Sequence, residues 1–117
     1  MNRLHVKRVY DPAAASDGLR VLVDRLWPRG LSKQKARIDV WLKDVAPSAE
    51  LRRWFGHDPA RWAVFRERYV AELGDGPALT ELRKLLAQHK PVTLLFAARD
   101  EAHNNAVVLR EILSGTT

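Results

Sequence analysis

The chain has 117 residues, of which 46% are hydrophobic and 29% are charged, and it contains no cysteine. This composition predicts one globular domain over residues 1–117 and excludes disulfides, a thiolate metal site and a thiol nucleophile. The formal net charge of +6 makes anions candidate partners, while the lack of a long apolar run or apolar leader predicts a cytoplasmic protein without membrane contact.

The first part of the chain predicts two short strands. Residues 4–10 alternate enough to form one strand, and the breaker-rich turn of residues 11–18 follows. Residues 19–23 form a short run that is apolar except for Arg20, as in a buried strand. Pro28 has no amide hydrogen and Gly30 permits a backbone turn, so the strand ends before them.

The middle of the chain is less regular. Residues 32–36 predict a short helical turn. Residues 38–45 are ambiguous between helix and strand, and we favour helix. Ser48 and Gly56 then predict the start and end of a further helix.

The second half of the chain predicts three more helices and one strand. Asp58-Pro59 is a strong helix start, and an apolar stripe at helical spacing follows it. This stripe consists of Trp62, Phe65, Tyr69 and Leu73. Residues 92–98 have no polar face, which is typical of a strand inside a parallel sheet covered on both faces. Asp100 is predicted to cap the last helix.

These elements predict an α/β fold. We expect a small, mostly parallel sheet of three or four strands with helices packed on both faces. Ligands of such sheets bind beyond the carboxyl ends of the strands.

Two acid–base pairs follow the two apolar strands. Asp24-Arg25 ends the first strand and Arg99-Asp100 ends the second. If the strands are parallel, both pairs lie at the same edge of the sheet. The last helix begins there with its free amide hydrogens, which favour an anion.

Most of the net charge comes from one segment at this edge. Residues 20–37 hold six basic side chains against the single acid Asp24. These basic residues are Arg20, Arg25, Arg29, Lys33, Lys35 and Arg37. The segment therefore predicts an electropositive corner that concentrates anions, although a solvated basic loop would have the same composition.

The candidate site residues have distinct expected roles. Arg25, Arg29 and Arg99 would hold an anion with their planar guanidinium groups. Asp24 is the candidate general base or metal ligand, and His103 and His57 are the candidate proton donors. The supporting residues would be Trp27, Asp100 and Asn104.

Structural roles compete with each of these assignments. Asp24 could form a salt bridge with Arg25 or Arg99. Asp100 is first of all a helix cap. A tryptophan such as Trp27 belongs more often to a core than to a ligand site.

Standard motifs of phosphate, dinucleotide, zinc protease and serine hydrolase sites do not occur in the chain. The four histidines lack zinc-like spacing, so the sequence predicts no metal site and identifies no cofactor.

Several motifs together resemble the YeaO-like family, a group of small bacterial proteins with a domain of unknown function. The most specific are DRLWPRG from Asp24 and WFGHDP from Trp54. The others are RVYD, WLKDVAPS, RY and TLLFAARDEAHNNA, which follow in matching order over almost the whole chain. The resemblance implies a small α/β protein and assigns neither an activity nor catalytic residues.

The function must therefore be inferred from the residues. We expect a protein that binds an anionic small molecule, phosphorylated or nucleotide-like, either as a sensor or as a small enzyme. A nucleic-acid-binding or regulatory protein is the alternative suggested by the basic segment, although no recognition motif is present. The third hypothesis is a module that binds a partner and has no catalytic activity.

Overall fold

The computed structural model describes residues 4–114, which form four strands and five α-helices. The strands are β1 (Leu4–Arg8), β2 (Leu19–Leu22), β3 (Val40–Trp41) and β4 (Val92–Phe96). The α-helices are α1 (Lys33–Ala36), α2 (Ala49–Phe55), α3 (Trp62–Leu73), α4 (Pro77–Gln88) and α5 (Asn105–Leu113). Three short 3-10 helices cover Ala15–Asp17, Lys43–Val45 and Pro59–Arg61.

All strand pairs in the sheet are parallel, and the strand order is β1-β4-β2-β3. β4 lies between β1 and β2, which explains why every one of its residues is buried. The small parallel α/β fold predicted from the sequence is confirmed.

The predicted elements need a correction at residues 38–45. This segment does not form one continuous helix: it forms the edge strand β3 and then the short 3-10 helix Lys43–Val45. The cause is pairing with β2, because the Asp39 and Leu42 amides donate to the carbonyls of Arg20 and Leu22. A two-residue strand is too short for its periodicity to show in the sequence.

The helices are divided unequally between the two faces of the sheet. One face, which carries Val21, Leu94 and Phe96, packs against α2, α3, α4 and α5 in the main core. The apolar stripe of α3 contributes Phe65, Tyr69 and Leu73 to this core.

The opposite face has a thinner cover. Leu22 and Leu95 pack there against Ala36 of α1 and against the half-buried Trp27 and Trp41. The rest of this face is a polar network. Asp17 and Arg20 are buried, and the ammonium of Lys7 also contacts the carboxylate of Asp17, at 3.1 Å.

The network fixes the end of the basic segment to the sheet. The Arg20 guanidinium donates to the carbonyls of Ala36 and Arg37 as well as to Asp17. The backbone of residues 36 and 37 is thereby held on β2. Within residues 4–114, no helix is both long enough and apolar enough to cross a membrane.

Candidate functional site

A cleft of about 450 Å³ lies at the carboxyl edge of the sheet. Its walls come from the segments that follow β1, β2 and β4, together with α2 and the turn before α5. We call it the carboxyl-edge cleft; its lining includes Tyr10, Asp24, Arg25, Trp27, Arg29, Arg52, Phe55, His57, Ala97, Ala98, His103, Asn104 and Asn105. The parallel arrangement thus brings seven of the nine predicted site residues to one cavity.

Asp24 is held at the base of the cleft by the exit of β4. Its Oδ2 accepts a hydrogen bond of 2.8 Å from the Ala97 amide. Burial raises the pKa of Asp24 above its ordinary value; the Ala97 amide, the Asn105 side chain and the charges of Arg52 and His57 only partly oppose this rise. The negative charge of Asp24 is therefore incompletely compensated.

Asp24 does not form the salt bridge that its neighbours suggested. Among residues 4–114, its carboxylate has no ion pair with Arg25 or Arg99. The acid and the adjacent arginine therefore line the same cleft without neutralising each other.

Arg25 is half-buried and lines two cavities. Besides the carboxyl-edge cleft, it borders a second cleft of about 930 Å³ that is also lined by Trp41, Tyr69 and Glu72. Its Nε is buried and has no hydrogen-bond acceptor in the described part of the chain. A buried donor of this kind is costly unless something outside the chain accepts from it.

Two exposed arginines, Arg29 and Arg52, add positive charge to the cleft. Arg29 lies in the loop after β2, and its backbone carbonyl accepts a hydrogen bond of 2.9 Å from the Tyr10 hydroxyl. This bond joins the loop after β1 to the loop after β2. Arg52 comes from α2 and lies close enough to Asp24 to lower the pKa of that carboxyl.

Both predicted histidines line the cleft. The Nδ1 of His103 lies 2.8 Å from Oδ2 of Asp100, and its ring packs edge-on against Trp62. The ring is thus held in one orientation, and its Nε2 has no hydrogen bond to any residue between 4 and 114. His57 has φ of 57°, a left-handed conformation in which a residue other than glycine is strained.

Trp27 lines the cleft and also has a structural role. Its Nε1 donates to the Leu31 carbonyl at 2.7 Å, and its ring meets Trp41 edge to face. Trp27 therefore fixes the loop after β2 on the thinly covered face of the sheet.

Arg99 and Asp100 follow β4 at the same edge but do not line the cleft. Arg99 is exposed. The hydrogen bonds of Asp100 with the His103 ring and the Ala102 amide lower the pKa of this carboxyl. Asp100 therefore orients the His103 ring from outside the cleft.

The predicted helix cap at Asp100 is wrong. α5 begins only at Asn105, and the Asn104 side chain caps it by accepting from the Val107 amide at 3.1 Å. Asp100 instead closes a turn by accepting from the Ala102 and His103 amides. His103 consequently precedes α5 and does not lie within it.

Sequence reasoning missed three groups at the cleft. Arg52 and Asn105 are brought there by the packing of α2 and α5 on the sheet, and Tyr10 by the turn after β1. The adjacent asparagines gave a partial signal, because poor helix formers in tandem need polar partners. The Asn105 amide indeed donates to the Val23 carbonyl at 2.8 Å.

Within residues 4–114, no three histidine or acidic side chains lie close enough together to hold a metal ion.

The comparisons with known proteins identify relatives over almost the whole length of the chain. A family model described as the inactive DUF488-N3 subclade matches residues 3–117. Uncharacterised proteins of Mycobacterium tuberculosis and Mycobacterium bovis are 49% identical over 113 residues, which cover 97% of this chain and 95% of each relative. No solved structure shows a significant match.

The uncharacterised protein YeaO of Escherichia coli K12 is 44% identical over 110 residues, covering 94% of this chain and 96% of the relative. Together with the family model, this similarity shows that the chain belongs to the YeaO-like family, the inactive DUF488-N3 subclade.

Proposed function

We propose that this protein binds a small anionic molecule, phosphorylated or nucleotide-like, in the carboxyl-edge cleft and does not turn it over. The observation that carries the proposal is the buried Arg25 Nε, which has no acceptor among residues 4–114. A ligand oxygen would remove the cost of this unpaired donor, about 1–3 kcal/mol for a buried group.

The charge of the cleft supports an anionic ligand. Its lining holds the three guanidinium groups of Arg25, Arg29 and Arg52 against the single carboxylate of Asp24. Guanidinium groups bind phosphate and carboxylate oxygens through two parallel hydrogen bonds, which fixes the orientation of the ligand. The volume of about 450 Å³ lies in the range of small-molecule sites.

Binding without turnover is supported by the description of the family as inactive. It is also supported by the hydrogen bonds that already engage the Asp24 and His103 side chains. Asp24 is held by the Ala97 amide, and His103 is held by Asp100. In this role the two side chains orient the ligand by hydrogen bonding, and His57 closes the cleft from the turn after α2.

A thermal shift experiment tests the proposal. We expect adenosine 5′-monophosphate and ribose 5-phosphate at millimolar concentration to raise Tm, because a ligand that binds only the folded state stabilises it. Adenosine and ribose, which lack the phosphate, should leave Tm unchanged. Arg25→Gln should lower the affinity for both phosphates about tenfold or more, since a charged hydrogen bond is lost. The rise in Tm at a given phosphate concentration should therefore be smaller.

Arg83→Gln is the matched control, because Arg83 is exposed on α4 and lies outside both clefts. It removes the same charge and should preserve the response. The proposal is wrong if neither phosphate raises Tm, or if Arg83→Gln weakens the response as much as Arg25→Gln.

A further inference from the structure

We propose that the ligand carries a hydroxyl group, or a similar hydrogen-bond donor, that binds Asp24 while its anionic group binds Arg25. The inference rests on the proposed function and narrows the ligand to hydroxylated anions, of which polyol and sugar phosphates are the simplest class.

The first argument is the arrangement of Asp24 and Arg25. They are consecutive residues, both line the carboxyl-edge cleft, and they form no ion pair with each other. An acid and a base that are adjacent and both half-buried gain by forming an ion pair, because each lowers the desolvation cost of the other. Here both remain available, so the cleft offers a donor and an acceptor next to each other.

The second argument is what separates the two charges. The Ala97 amide fixes Asp24 toward the exit of β4. Arg25 extends to the border of the second cleft, whose lining does not include Asp24. The separation is therefore built into the sheet edge.

The third argument is the remaining capacity of the carboxylate. An ionised carboxylate has about four acceptor positions, and the Ala97 amide and Asn105 side chain use only part of them. The pKa of Asp24 is raised because burial outweighs the hydrogen bonds and nearby positive charges that stabilise the ionised form. The ionised carboxylate would therefore be stabilised by a further hydrogen-bond donor. A ligand hydroxyl would supply one.

The charged and polar groups around Asp24 leave part of its acceptor capacity unused. They come from every neighbouring element: Arg52 from α2, His57 from the following turn, Tyr69 from α3, Asn105 from α5 and Arg25 from its own loop. None of these side chains forms an ion pair with Asp24 within residues 4–114, and the Tyr69 hydroxyl donates to the Val45 carbonyl.

The experiment compares two probes, glycerol 3-phosphate and propyl phosphate. Both carry a phosphate on a three-carbon chain, but only the first has hydroxyl groups. Nuclear magnetic resonance titration of the full chain measures both affinities. The Arg25 Nε–H signal reports on the anion position, and the Ala97 amide signal reports on Asp24, to which it donates.

We expect both probes to shift the Arg25 signal, and glycerol 3-phosphate to bind about tenfold more tightly, as an additional hydrogen bond to a charged group implies. Only glycerol 3-phosphate should shift the Ala97 amide strongly. Asp24→Asn keeps an oxygen for the Ala97 amide but replaces the free acceptor with a donor, so it should remove the difference between the probes. Asp75→Asn, an exposed acid outside both clefts, should preserve it.

Equal affinity of the two probes in the unaltered protein would overturn the inference and leave the proposed function standing. Failure of both probes to bind would overturn both. The comparison in the unaltered protein decides between these outcomes even if Asp24→Asn does not fold.

Discussion

At the scale of single residues, Asp17 and the half-buried Asp24 differ in how far hydrogen bonds compensate their charge. Asp17 accepts hydrogen bonds from the Ala14 amide, Lys7 and Arg20. Burial alone would raise the pKa of Asp17, but these bonds outweigh burial and lower it. Asp24 lacks such compensation, and its pKa is raised. The first acid stabilises the fold, and the second is left available at the cleft.

The lowered pKa of Asp17 predicts how stability depends on pH. Because the folded-state pKa is below the unfolded value, ionised Asp17 contributes stability above about pH 4 that is lost as the pH falls through the folded-state pKa. Asp17→Asn should lower the free energy of unfolding by about 3 kcal/mol at neutral pH, since Arg20 would lose its buried partner. The difference from the unaltered protein should shrink below pH 4.

Chemical denaturation between pH 3 and 8 measures this difference. Asp75→Asn provides the control, because Asp75 is exposed and should show no such trend. A loss of stability in Asp17→Asn that stays constant over the whole range would contradict the assigned role of the ionised carboxylate.

At the scale of elements, the parallel sheet depends on one close backbone approach. Gly18 precedes β2 with φ of 65°, and a Cβ atom there would lie 2.1 Å from the Pro91 carbonyl oxygen. That oxygen accepts a hydrogen bond from the Leu19 amide. A glycine is therefore needed where β2 begins to pair with β4.

Gly18→Ala should lower the free energy of unfolding by about 3 kcal/mol, because a left-handed conformation and a steric overlap act together. Gly30→Ala isolates the conformational part: Gly30 has φ of 81°, but no neighbouring atom lies within 4 Å of its added Cβ. We expect it to lose about 1 kcal/mol. Equal losses in denaturant unfolding would show that the approach to Pro91 costs nothing.

The same scale shows what a sequence can predict. The apolar run of β4 indicated an interior strand of a parallel sheet. Because parallel strands end at the same edge, this predicted that Asp24, Arg25 and His103 would lie near one another at the carboxyl edge. The cap of α5 could not be assigned, because Asp100 and Asn104 are both good capping residues and only the turn between them decides. β3 escaped prediction since its two residues are defined by pairing with β2.

At the scale of the whole molecule, the cleft lies where a well-packed layer meets a thin one. The four longer helices cover one face of the sheet, whereas the other face, in the described part of the chain, is covered mainly by α1, the loop after β2 and the Asp17 network. Arg52 and Asn105 reach the cleft from the helical layer, while Arg25 and Arg29 reach it from the loop after β2. Such sites depend on packing between layers, so no local pattern locates them completely.

The thinly covered face of the sheet also determines which segment of the protein unfolds locally first. Residues 25–37 bury few apolar side chains, so their amides should exchange with deuterated solvent by local opening, well before those of β4. Because Arg25 and Arg29 lie in this segment, a bound phosphate should slow its exchange and leave β4 unaffected. Mass spectrometry of the exchanged chain would show this protection, and equal exchange with and without ribose 5-phosphate would contradict it. The segment that accounts for most of the protein's net positive charge is thus also the one whose opening a ligand would suppress.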